Sequence, residues 1–107
     1  FLEHVYLLAL EQELLARGHR VTREVAIPVC YKRVTLCVQK LDMLVDDRLV
    51  VEAKSTHGLH YTATRQTYNY LKAANLSVGL LLHFGPEPRY YQIAHRARPS
   101  DGLEVPA

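Results

Sequence analysis

The most constraining feature of the chain is the stretch Leu76 to Phe84, an apolar run bounded by Asn75 on one side and Gly85-Pro86 on the other. A run this length, with no regular polar alternation, reads as a strand buried on both faces. Such a strand needs cover above and below, which in a small domain means helices packed on a sheet. The composition can supply that core. The chain has 107 residues, 49% of them hydrophobic and 22% charged, which excludes a disordered polyelectrolyte. No apolar stretch approaches the roughly 20 residues needed to cross a bilayer. Two cysteines cannot form a disulfide scaffold or a four-thiolate zinc site.

The remaining segments supply the layers. Glu3, Tyr6, Leu7, Leu10 and Leu14 recur at helical spacing, so Leu2 to Ala16 is predicted as a helix capped by Gly18. Its first half is so poor in polar residues that burial on more than one side is expected. Val21–Tyr31 and Val34–Val45 read as strands joined at Lys32-Arg33, a pair chemically poor for a two-residue hairpin. Asp46-Asp47 makes a second turn into a third strand, Leu49–Lys54. Ser55 to Leu59 is a loop, His60 to Ala74 a second helix, and Tyr90 to Ala94 a short last strand. The predicted fold class is α/β, in the order α-β-β-β-α-β-β, with a mixed sheet between helices. Residues 1–96 form one domain and 97–107 a flexible tail rich in Pro, Ser and Gly.

Three polar residues sit oddly in apolar strands: Asp42, Glu52 and Lys54. Positions 52 and 54 of a strand share a face. A carboxylate among apolar residues is costly unless it is paired or binds a metal. Two facing carboxylates repel, and a hard divalent cation such as Mg²⁺ or Mn²⁺ removes the conflict. It would also polarise a phosphate and acidify a water, while Lys54 steadies the charge that develops. The plainer reading is a structural ion pair, Glu52 with Lys54 or Asp42 with Lys40.

The pattern Asp42 followed by Glu52-Ala53-Lys54 resembles the PD-(D/E)xK nuclease superfamily. Gln66 and Tyr70 resemble the Q-x-x-x-Y motif of its RecB-like members. Glu3-x-x-Tyr6-x-x-Ala9-Leu10 is similar to the signature of the family named for its GxxExxY motif. So are Gln66-x-x-Asn69-Tyr70-Leu71-Lys72-Ala73, Val78–Leu82 and Phe84-Gly85. Ala63 stands where that family commonly has His, and His83 where it commonly has Asn. The resemblance implies a restriction-endonuclease-like core and a metal-dependent nuclease acting on nucleic acid, DNA foremost. It implies that Asp42 and Glu52 bind Mg²⁺ or Mn²⁺ and that Lys54 is the catalytic lysine. Glu3 is a further candidate ligand to metal or water. Gln66 and Tyr70 would contact substrate or fix Lys54.

Other signals point elsewhere or nowhere. His57 and His60 are expected to face solvent, Cys30 and Cys37 to be buried free thiols, and Tyr90-Tyr91 to divide between core and rim. Arg89, Arg96 and Arg98 read as a solvated cluster. No Gly-rich phosphate loop appears. The N-terminus lacks a signal-peptide succession, so a cytoplasmic, reducing setting is expected, with no membrane partner. Two other functions compete with the nuclease: an inactive nuclease-fold module that binds nucleic acid or a protein, and a self-associating domain forming a homodimer.

Overall fold

The computed structural model describes residues 3–59 and 61–98. Its elements are α1 (Glu3–Ala16), β1 (Val21–Tyr31), β2 (Val34–Val45), β3 (Leu49–Lys54), α2 (Tyr61–Ala74), β4 (Val78–Phe84) and β5 (Pro88–Ala94). The expected order is present. Leu2 and His60, the expected first residues of the two helices, lie outside the described residues. β5 starts at Pro88 rather than Tyr90, since proline is tolerated at the first position of a strand.

The five strands form one mixed sheet in the order β1-β2-β3-β4-β5. β3 and β4 run parallel and every other neighbour pair is antiparallel. Parallel neighbours need a long crossover, and α2 provides it. One core face gathers Leu7 of α1 with Met43, Val45, Val51 and Ala53. The other gathers Tyr70 and Leu71 of α2 with Ile27, Leu41 and Val50. The sheet therefore lies between two helices, a restriction-endonuclease-like α/β core.

Both helices end in the same way. Gly18, at φ +87°, follows α1, with its N–H donating to Leu15 O and that of His19 to Leu14 O. Asn75, at φ +54°, plays the same part after α2, and Leu76 N–H donates to Leu71 O. Both are Schellman caps. Gly79 allows α2 to lie close over β4, because a Cβ there would come within 3.0 Å of Thr67 Cγ2. Of α1 only Leu7 is buried, while Val5 and Leu15 remain nearly half exposed. The helix thus buries one face, contrary to the expectation from its composition, because it lies on the outside of the sheet with one layer beneath it.

The β1–β2 hairpin extends beyond the sheet. β3 pairs only with Met43–Val45, so the first half of β2 is bonded to β1 alone. Tyr31, Val34, Leu36 and Val38 are exposed on this arm. Cys30 and Cys37 are free but exposed, not buried as expected, since among the described residues this end of the hairpin pairs with no third strand. A bulge between Val29 and Cys30 pairs Cys30 with Thr35 and Cys37 with Val29. Tyr90 and Tyr91 are likewise exposed, on the edge strand β5. Asn75 holds the Arg98 backbone by two hydrogen bonds, and the rest of the tail lies outside the described residues.

Lys32 and Arg33 both occupy the left-handed region, at φ +47° and +68°. That is the type I′ conformation, which favours Asn-Gly and costs other residues about 1–2 kcal/mol each. Replacing the pair with Asn-Gly is expected to raise stability by about 1–2 kcal/mol. Denaturant unfolding would register this as a higher midpoint at constant slope. An unchanged midpoint would show that the turn stores no strain.

Candidate active site

The acid pair sits where the sheet loses its regular bonding. Extending the β2–β3 register by one step would set Asp42 opposite Glu52, but the ladder stops at Met43–Val51. On the other side it passes from Arg23–Met43 to Val25–Leu41 without a Glu24–Asp42 pair. Glu24 is left-handed there, at φ +56°. A bulky residue in that conformation costs about 1–2 kcal/mol, and such strain gathers at functional sites. Beside this kink, Arg23 Nε pairs with Glu11 Oε1 at 3.1 Å, tying β1 to α1.

The amides released from the ladder are taken up by the carboxylates. Asp42 N–H donates to Glu52 Oε1 at 2.8 Å, and Ala53 N–H donates to Asp42 Oδ2 at 2.9 Å. Each acid is thus held by an amide of the opposite strand, just past the point where the β2–β3 ladder ends. Glu52 is only 4% exposed. Burial, then repulsion from Asp42, push its carboxyl up to about 8, against a weaker downward pull from Lys54. At neutral pH the metal-free pair therefore keeps a proton, bound by a carboxyl–carboxylate hydrogen bond.

Lys54 follows on the same face of β3 as Glu52 and is half-buried. His83 of β4 is its register neighbour. Neither structural ion pair considered from sequence, Glu52 with Lys54 or Asp42 with Lys40, forms among the described residues. The turn after Lys54 is held from both sides of the sheet. Glu3 Oε1 accepts from Ser55 N–H at 3.0 Å, and His83 Nε2 meets Thr56 O at 2.8 Å. Gly85 leaves room for the second contact, because a Cβ there would lie 2.8 Å from the His83 ring.

Gln66 and Tyr70 lie one turn apart on α2, as their spacing requires. Gln66 Nε2 donates to Tyr70 Oη at 3.1 Å, and the Tyr70 hydroxyl points at Lys40 O, 3.3 Å away, and Gln39 Oε1, 3.4 Å away. They therefore brace β2 two residues before Asp42 and make no hydrogen bond to Lys54 among the described residues. Burial, then the nearby Glu52 and Asp42 charges, raise the Tyr70 phenol above its ordinary range.

A model of the PD-(D/E)XK nuclease superfamily matches residues 1–95. The chain belongs to the PD-(D/E)XK nuclease superfamily. No curated protein matches its sequence significantly. Among solved structures it is similar to one titled "Crystal structure of SSO0001", with a TM-score of 0.66 and 18% identity. The match covers 90% of this chain and 52% of that one, so the chain spans about half the length of that relative. At that identity the likeness concerns the fold.

Within the superfamily domain, the structure brings Asp42, Glu52 and Lys54 together and sets Tyr70 close enough to feel both carboxylate charges. Glu3 approaches from the opposite helix and is engaged with Ser55 N–H. The donor set fits a divalent cation. Two hard carboxylates lie side by side, destabilised by each other and by burial, and a cation would relieve both effects. No group of three or more His, Cys, Asp or Glu gathers among the described residues. A cation held by Asp42 and Glu52 would thus complete its shell with water and phosphate oxygens, as Mg²⁺ commonly does. The sequence marks His83 only as a departure from the family's Asn, with no role assigned, and the Glu24 kink not at all. His83 follows Leu81 at alternate spacing in β4, a pattern that places it on the Glu52 face. The left-handed turn of Glu24 has no sequence signature.

Proposed function

We propose that this domain is a metal-dependent nuclease that hydrolyses phosphodiesters of nucleic acid, with DNA as its substrate. The observation that carries the reading is the buried Asp42–Glu52 pair, each acid fixed by an amide of the other's strand, with Lys54 two residues on. Asp42 and Glu52 would hold Mg²⁺ or Mn²⁺, which supplies Lewis-acid charge to the phosphate and lowers the pKa of water. Lys54 donates hydrogen bonds to the attacking water or to the phosphate oxygens as negative charge builds on them. Glu3 and His83 keep the turn behind Lys54 in place from either side of the sheet. Gln66 and Tyr70 hold the β2 backbone that presents Asp42. The narrower likeness to the GxxExxY family, through Glu3, Tyr6, Gln66 and Tyr70, supports the same assignment of parts.

Isothermal titration with Mn²⁺ tests the metal-holding role. The wild-type domain is expected to bind Mn²⁺ and to release close to one proton at pH 7, because Glu52 must ionise. Asp42→Asn is expected to weaken binding at least tenfold. No heat at millimolar Mn²⁺ would favour a nuclease-fold binding module instead.

A further inference from the structure

A groove of about 980 Å³ runs between α2 and the projecting β1–β2 arm. Arg65 and Lys72 of α2 line it, with Gln66, Asn69 and Gln39 offering hydrogen bonds and Val29 an apolar wall. No acidic residue contributes to the lining. Arg65 and Lys72 are exposed, and neither is in an ion pair among the described residues. Seven residues apart on a helix, they share one side and stand about 10 Å apart along its axis. The Tyr70–Gln39 contact forms the floor, and behind Tyr70 lie the two carboxylates.

We infer that this groove is the track for a single strand of nucleic acid, with Arg65 and Lys72 as its phosphate contacts. The inference deepens the nuclease reading and rests on it for the chemistry of the polyanion. Two cations without a neighbouring acid fit a row of phosphates, and the amide side chains between them can meet base edges. The shape selects one strand. The recess is on the protein, between an arm and a helix, and its volume matches clefts of about 300–1,000 Å³ that enclose small ligands. A few nucleotides of a single strand fit there. A duplex keeps its bases paired and shows their edges only within its grooves, so the amide side chains set between these two cations would meet only its backbone.

Fluorescence anisotropy with a labelled 12-mer, single-stranded or annealed to its complement, tests the inference. The Glu52→Gln background keeps the probe intact. The single strand is expected to bind at least tenfold more tightly than the duplex. The double variant Arg65→Ala, Lys72→Ala is expected to weaken single-strand binding at least tenfold. It should also reduce the slope of log K against log salt by about 1.4, two phosphate contacts' worth. A control variant, Arg48→Ala with Arg96→Ala, makes the same charge change outside the groove and should have a clearly smaller effect. Equal or tighter duplex binding, an unchanged double variant, or an equal loss in the control would each overturn the inference. The two readings separate cleanly. Wild-type cleavage with no effect of the double variant on binding removes the groove and leaves the nuclease. Binding that follows Arg65 and Lys72, without cleavage in Mn²⁺, supports the groove and removes the nuclease.

Discussion

Glu52→Gln is expected to make the metal-free domain more stable at pH 8, by on the order of 3 kcal/mol. The folded carboxyl is pushed up to about 8, whereas the unfolded chain titrates near 4.5. Between those values the folded state holds a proton that the unfolded state has lost. Wild-type stability should therefore fall as pH rises from about 4.5 to about 8, by up to about 1.4 kcal/mol per pH unit, and level off above. Glutamine carries no such proton. Its carbonyl can still accept from Asp42 N–H, and its amide can donate to the Asp42 carboxylate. The variant should lack the slope and gain about 10 °C or more in melting temperature at pH 8. Mn²⁺ should raise the melting temperature of the wild type and barely move that of Glu52→Gln. Parallel pH profiles for the two proteins would show that Glu52 is not held protonated.

Lys54→Ala is expected to reduce the cleavage rate by about 10²–10³-fold, the scale of losing one preorganised donor at a developing oxyanion. Metal binding should move the other way. Lys54 repels a nearby cation, and its downward pull on the Glu52 carboxyl is the smallest of the influences there, so its removal should leave Mn²⁺ affinity equal or tighter. A kinetic loss with retained metal separates this residue from Asp42, whose replacement should lose both. Lys54→Arg is not expected to restore the rate, since a planar guanidinium presents its donors in a different geometry. Full activity in Lys54→Ala would take the lysine out of the chemistry. Lost activity accompanied by lost metal binding would make it a structural residue.

Much of this arrangement is legible in the chain, and the exceptions share a cause. The limits of β1, β2 and β3 follow from β-branched runs interrupted at Lys32-Arg33 and Asp46-Asp47. The acid-acid-Lys pattern marks the site because charges in apolar strands need a reason. Burial is less legible. Val34-Thr35-Leu36-Cys37-Val38 reads like a core strand, yet it is exposed, because β3 pairs only with Met43–Val45 and leaves this end of β2 beyond the sheet. The same holds for Tyr90 and Tyr91 on an edge strand. Local pattern states what a segment can bury, while the tertiary arrangement decides whether anything covers it. Gln66 and Tyr70 show the same limit at the site. Their shared face is read from spacing, but their partner, the β2 backbone at Lys40, is a long-range contact that spacing does not contain. The groove cations Arg65 and Lys72 look like ordinary solvated helix residues until the arm stands opposite them.

The most direct measurement is cleavage of labelled single- and double-stranded DNA in Mn²⁺ by the wild-type domain and by its Glu52→Gln variant, both shown folded by circular dichroism. The expected result is metal-dependent cleavage by the wild type that EDTA abolishes and that the variant lacks. Equal cleavage by both proteins, or none by a folded wild type that binds Mn²⁺, would contradict the assignment of Asp42, Glu52 and Lys54 as a nuclease site.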